Sequence, residues 1–404
     1  MANIGDPATP PAPPPGQGAM SPGGGEGARI GWSGSTWGLA GLGFINLLLT
    51  LITLGIYHFW AKTEVRRRVA ASIRINDEPL EYTGTGMELF LGFLIVLFVI
   101  LLPFLLIVVG AQIWFGPAGG AVVLLVQPLF WYLYNVAIYR ARRYRRSRLR
   151  WRGVRGSLIG SSWAYGWHSL WTSVVNAFTS GWMTPWRDNF LHRTVTRETR
   201  FGDRPFNYTG RAGPLYPSYS IAWVGTILLL AVIGAAAFGI MWPMSQPLRE
   251  AFEAAQVEGS KPDWQSPELK AQLGLLFGLI GLGYGFLVLY GICASVLWSL
   301  FYAREYRYFA SETTLDGLRF KLDVKGWSMF WLFLSNTLMS FLTLTILSPV
   351  AEARVARYFV RRMSSTGTID FAAIQQSQSK LSKTGEGLAE AFDVEAASYF
   401  ILSI

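Results

Sequence analysis

Four stretches of the chain are long, apolar and free of charge: residues 89–110, 118–139, 219–242 and 271–302. Each is long enough to cross a hydrocarbon layer of ~30 Å as a helix, which takes roughly 20 residues, and helices satisfy their own backbone in lipid. Three shorter semi-apolar segments, 37–60, 163–184 and 327–350, alternate with them. Between the helical segments lie short runs of alternating polarity around Asn76-Asp77, Gly202-Asp203 and Asp316-Gly317, with a weaker one around Arg152-Gly153. These read as β-hairpins. Since isolated hairpins are marginal in water, they are expected to pair with one another or to lie on the membrane face. The predicted fold is an all-α polytopic membrane bundle of internal repeats with small cytoplasmic β-hairpins.

Charge gives this pattern a sidedness. Only 15% of the 404 residues are charged, against about 25% in an average soluble domain, and 28 of the 35 Lys and Arg fall in segments 62–74, 140–155, 187–204, 304–325 and 354–362. The positive-inside rule puts these segments in the cytoplasm and the loops 111–117 and 243–270 outside. The short segments 163–184 and 327–350 then have basic flanks on both sides. Either all three short segments re-enter the cytoplasm or they span against the charge rule; the flanking charge favours re-entry. The first 28 residues hold 7 Pro and 7 Gly with no Lys or Arg and read as a disordered cytoplasmic tail rather than a signal peptide. The chain from 363 to 404 reads as a polar cytoplasmic tail with a short helix near 386–399, leaving 29–362 as the membrane domain.

Self-comparison reveals repeats at 37–86, 163–213 and 327–362. Trp37/Asn46, Trp167/Asn176 and Trp327/Asn336 share one spacing, and Gly55–Gly84 aligns without gaps to Gly181–Gly210. Asn46, Asn176 and Asn336 are the candidate polar cluster, because an amide at membrane depth needs partners. They read either as hydrogen-bonding glue between helices or as the lining of a hydrated cleft. Arg66, Arg67, Arg142, Arg143, Arg145, Arg146, Arg354 and Arg357 read as membrane-surface groups for anionic lipid headgroups, and the run 140–155 follows a span too closely to suggest nucleic acid. Segment 351–363, with Val355, Tyr358, Phe359 and Met363 on one side, reads as an interfacial amphipathic helix, as does 62–74. The Gly274/Gly278 and Gly281/Gly285 steps predict close helix packing.

The stretch Asn46-Leu-Leu-Leu-Thr-Leu-Ile-Thr-Leu-Gly-Ile-Tyr57, then Phe59-Trp60-Ala61-Lys62 and Tyr82-Thr-Gly-Thr-Gly86, resembles the YjgN-like family of bacterial inner-membrane proteins. The resemblance implies a multi-pass inner-membrane protein and supplies no catalytic residues, since the family is one of unknown function. The residues themselves offer no enzyme site. His58, His168 and His192 lack ligand spacing, Cys293 is alone in an apolar run, and there is no glycine-rich nucleotide loop. The sequence thus predicts no cofactor and no metal. It predicts a non-enzymatic membrane protein, of transport or envelope-lipid type with a polar cleft between repeats, or alternatively a scaffold docking a membrane-bound protein through its basic face.

Overall fold

The computed structural model describes residues 27–258 and 267–377. Its organising element is a run of antiparallel strands, each paired with a neighbour in sequence and interrupted only once, after the third strand. The strands are β1 (Ile30–Trp32), β2 (Ile73–Ile75), β3 (Glu78–Pro79), β4 (Glu81–Tyr82), β5 (Leu149–Trp151), β6 (Val154–Leu158), β7 (Thr199–Phe201), β8 (Arg204–Tyr208), β9 (Thr313–Leu315), β10 (Leu318–Leu322) and β11 (Met363–Thr366). Three strands, β1 to β3, and eight, β4 to β11, form two ladders. They are joined through Leu80, whose N–H donates to Ile73 O at 3.0 Å. The last strand returns to the first, where Ser365 Oγ donates to Ala28 O, so the sheet curls into a ring. Its tight turns use left-handed residues where the sequence offers Asn, Asp or Gly, as at Asn76-Asp77 (φ 50° and 66°) and Arg152-Gly153 (φ 50° and 74°), the geometry that matches strand twist.

At the other end of the ring, the strand pairs open into helices. Trp32 pairs with Ile73, and between them run α1 (Ala40–Ile52) and α2 (His58–Ser72). Tyr82 pairs with Leu149 around α3 (Gly86–Val96), α4 (Leu102–Phe115) and α5 (Gly119–Arg148). Leu158 pairs with Thr199 around α6 (Ser162–Phe178) and α7 (Thr184–Arg197). Tyr208 pairs with Thr313 around α8 (Tyr216–Glu258) and α9 (Pro267–Ser311). Leu322 pairs with Met363 around α10 (Gly326–Leu342) and α11 (Ser348–Val360). Each helical excursion therefore leaves and re-enters the sheet at one hydrogen-bonded pair.

Two excursions are long and three are short. Three helical runs, Gly86–Arg148, Gly213–Glu250 and Lys270–Ser311, are long and apolar enough to cross a membrane. The first doubles back at Gly116, so that Phe104 stacks on Phe130 with ring centroids 4.3 Å apart. Leu97–Leu101 widens into a π turn just ahead of Pro103, which lacks the N–H that a regular helix would use there. By contrast α1 has 13 residues and α6 and α10 have 17 each, roughly 20–25 Å at 1.5 Å per residue. All three short excursions turn in the same way. Thr53, Thr179 and Thr343 each donate a hydroxyl to the carbonyl four residues back and accept an N–H from four residues on. Two left-handed residues follow (Leu54-Gly55, Ser180-Gly181, Leu344-Thr345). The tips are greasy: Leu54, Phe178 and Leu344 are 93%, 88% and 79% exposed.

The structure corrects four expectations. The fold is mainly helical but not all-α: the hairpins do pair with one another, as expected, but into sizeable ladders of three and eight strands. Neither 351–363 nor 62–74 is an interfacial helix: Val355, Tyr358, Phe359, Val65, Val69 and Ile73 are buried together, since the sheet ring offers these apolar faces a protein surface to cover. The folded chain continues beyond 362. Met363–Thr366 pairs with β10, and Ile369, Phe371 and Ile374 pack at the ring with Phe206 and Leu315, while Gln375 N donates to Asp203 Oδ1 at 3.1 Å. The expected helix near 386–399 lies outside the described residues. Finally, a Cβ on Gly274, Gly278, Gly281 or Gly285 would meet open space, so these steps do not mark a tight helix contact.

Candidate functional site

Where the long and short hairpins meet above the ring, they enclose a cavity of about 420 Å³. Four helices supply its walls, and helical spacing selects which residues face it. From α5 come Asn135, Arg142, Arg145 and Arg146; from α6, Tyr165, Ser169 and Ser173; from α7, Arg187, Asp188, His192 and Thr196; from α9, Tyr302, Glu305, Tyr306 and Phe309. Exposed Trp163 and Trp167 stand in the first turns of α6, as exposed Trp327 and Trp331 do in α10. Tryptophans are enriched at membrane–water boundaries, and Trp163 and Trp167 stand beside the cavity residues Tyr165 and Ser169 on α6.

The polar lining is partly self-satisfied. Ser169 Oγ donates to Asn135 Oδ1 at 2.7 Å, and Arg142 Nη1 to the Tyr165 hydroxyl at 3.1 Å. Arg187 holds Asp188 Oδ1 through Nε at 2.9 Å and Nη2 at 2.8 Å. Glu305 is not satisfied in this way: it is 4% exposed, yet its Oε1 has no hydrogen-bond partner. Burial drives the Asp188 carboxyl up while Arg187 opposes the shift.

The His192 ring lies flat on Phe309, with centroids 4.2 Å apart, and Thr196 Oγ1 is 3.2 Å from its Nε2. Burial, then the charges of Arg146 and Arg142, pull the imidazole down to about 3. In an unfolded chain it would titrate near 6.5. Below that pH the unfolded state gains a proton that the folded state refuses, so His192 costs the fold nothing at pH 7. As the pH falls from about 6.5 it lowers stability, by at most about 1.4 kcal/mol per unit. The raised carboxyl of Asp188 has the opposite sign. Replacing His192 with Phe should therefore flatten the decline in melting temperature between pH 6.5 and 4.5; an unchanged slope would contradict this environment.

Under the polar cavity, inside the ring, lies a second and apolar one of about 90 Å³, lined by residues such as Ile30, Leu80, Trp151, Phe206, Leu318 and Phe371. Arg146, 6% exposed, lines both. Tyr82-Thr83-Gly84 and Tyr208-Thr209-Gly210 buttress this layer alike. In each the buried tyrosine ring covers the glycine two residues on, where a Cβ would strike its hydroxyl.

The residues singled out by sequence are distributed differently. Asn176 Oδ1 accepts from Thr184 Oγ1 at 3.2 Å and Asn336 Nδ2 donates to Ala351 O at 3.3 Å, so each joins the two helices of its own short hairpin. Asn46 is buried in α1, and none of the three lines the polar cavity. Of the arginines, Arg142, Arg145 and Arg146 turn inward to the cavity. Arg143 donates to Gly160 O, Arg354 to Ser335 Oγ at 3.0 Å, and Arg67 pairs with Glu64 at 3.3 Å; Arg66 is buried and Arg357 half-buried. Asp188 and Glu305 were missed by charge counting over basic segments. The signal was available: Glu305 is the only acidic residue between 271 and 311.

Known proteins bear out the membrane assignment. A stretch of 63 residues is 40% identical to Inner membrane protein YjgN of Salmonella typhimurium, covering 16% of each chain. Another alignment, of 54 residues, is 39% identical to Inner membrane protein YjgN of Escherichia coli O157:H7, covering 13% of this chain and 14% of the relative. The aligned stretches thus span less than a fifth of these relatives. No solved structure matches. The family model described as bacterial protein of unknown function (DUF898) matches residues 28–391, most of the chain, and the protein belongs to that family.

Proposed function

We propose that the chain is a polytopic, non-enzymatic protein of the bacterial inner membrane, built on a triplicated unit, that handles an envelope lipid or transports an amphiphilic solute through the polar cavity. In this reading α3–α5 and α8–α9 cross and return, the three short hairpins dip into the lipid, and the sheet ring and both tails face the cytoplasm, where the arginine excess belongs. Binding sites at the junction of helical hairpins recur in repeat-built transporters, which is an analogy of architecture. The observation that carries the proposal is the cavity itself: about 420 Å³, with four arginines against two carboxylates; the exposed tryptophans beside it support an interfacial depth. A scaffold that docks a partner through a basic surface is less favoured, because Arg142, Arg145 and Arg146 point inward.

The test is native mass spectrometry on protein extracted with its surrounding lipid. A lipid or amphiphile should remain bound, and Arg142→Gln with Arg145→Gln should lower its occupancy at least tenfold while the folded yield is kept. A ligand-free wild type, or an occupancy indifferent to both substitutions, would overturn the proposal.

A further inference from the structure

Resting on that reading, we infer that the cavity selects a phosphoethanolamine headgroup, an anion and a primary ammonium carried together by a phospholipid. Two features of the lining require different things of a ligand. Arg142, Arg145, Arg146 and Arg187 outnumber Asp188 and Glu305, and guanidinium groups in excess favour a phosphate, which they bind through planar, charge-assisted hydrogen bonds. A ligand that is only an anion leaves Glu305 unserved. Its Oε1 is buried without a donor, and Arg187 is already engaged by Asp188. A buried acceptor without a partner is costly, so the fitting ligand also brings N–H groups.

Tyr302 and Tyr306 line the same face of α9, three residues before Glu305 and one after it, and tyrosine rings favour a cation over their faces. An ammonium against Glu305, with a phosphate among the arginines, satisfies both requirements. A trimethylammonium headgroup supplies the charge without an N–H, and a glycerol headgroup supplies O–H donors without the charge. Each meets only half of the site.

The lipid, rather than a soluble compound, is indicated by the mouth. Trp131 and Tyr302 line the cavity and remain exposed. Trp131 lies in the apolar part of α5 and Tyr302 at the end of the apolar run of α9. Acyl chains can therefore stay in the bilayer while the headgroup enters.

The experiment uses full-length protein in nanodiscs containing equal amounts of phosphatidylethanolamine, phosphatidylglycerol and phosphatidylcholine, with bound lipid read by native mass spectrometry. The ethanolamine lipid should be enriched at least tenfold over the choline lipid, and retention should fall stepwise through the N-methyl and N,N-dimethyl forms. Glu305→Gln should reduce the enrichment to below about threefold while total bound lipid is preserved. Equal retention of the three lipids by the wild type would overturn this inference and leave the lipid-handling reading standing, whereas no retention of any lipid would remove both. Displacement by free O-phosphoethanolamine at equal concentration would overturn the lipid as the source of the headgroup.

Discussion

Single cysteines at Asp77, Arg152, Asp203 and Asp316, on a Cys293→Ser background, should all react with an impermeant maleimide from one face of sealed membrane vesicles and from that face only. A cysteine at Pro117, in the turn of the first long hairpin, should react from the opposite face. Cysteines at Leu54, Phe178 and Leu344 should react from neither. The expectation follows from the ladders. The first four positions occupy the tight turns of four hairpins, one in the three-stranded ladder and three in the eight-stranded ladder joined to it at Leu80. A helical segment that starts and ends at one hydrogen-bonded pair, as between Leu158 and Thr199 or Leu322 and Met363, has both ends in the same compartment. The short segments cannot then be single spans, and at roughly 20–25 Å per helix they fall short of the ~30 Å needed to cross. Their apolar tips belong in lipid, where a charged residue at mid-depth costs about 2.5–3.5 kcal/mol on insertion scales. Labelling of Arg152 and Asp203 from opposite faces would refute the arrangement outright.

What the sequence makes legible follows from the range of the forces involved. Apolar length fixes the four long helices, and the Asn-Asp and Gly-Asp turns fix the hairpins, because both signals are local. The ring is not local. The pairing of Tyr82 with Leu149, or of Tyr208 with Thr313, joins residues separated by whole helical hairpins, and no periodicity encodes it. The same gap explains the misread amphipathic helices. The pattern of Val355, Tyr358 and Phe359 shows an apolar face, but only the assembled ring shows that protein, not lipid, covers it. At the site the arginines are visible as charge, while their direction is set by how α5 packs beside α6 and α7. Asn46, Asn176 and Asn336 are prominent because they recur. Asn176 and Asn336 recur where the short hairpins are stitched together, away from the cavity. Glu305 has no acidic counterpart in the first long hairpin, where Arg143 stands, so self-comparison passes over it.

Alanine at Gly43 should destabilise the protein by about 1–3 kcal/mol, the usual cost of overpacking a close contact, whereas alanine at Gly41 should be neutral or stabilising by up to about 1 kcal/mol. Both glycines lie in the first turns of α1, and both substitutions raise helix propensity equally. They differ in what lies beyond them. A Cβ on Gly41 meets open space, while one on Gly43 would collide with the backbone carbonyl of Ile346 in the turn between α10 and α11. A carbonyl in a tight turn cannot rotate away as a side chain would, so the two hairpins must separate. That contact closes the helical layer, bringing the first short hairpin against the third just as Ser365 meets Ala28 in the sheet beneath. Loss of melting temperature at Gly43 with none at Gly41, measured in detergent or nanodiscs, would show that the chain closes on itself in both layers. Equal responses at the two positions would leave the helical layer open and the ring held by its strands alone.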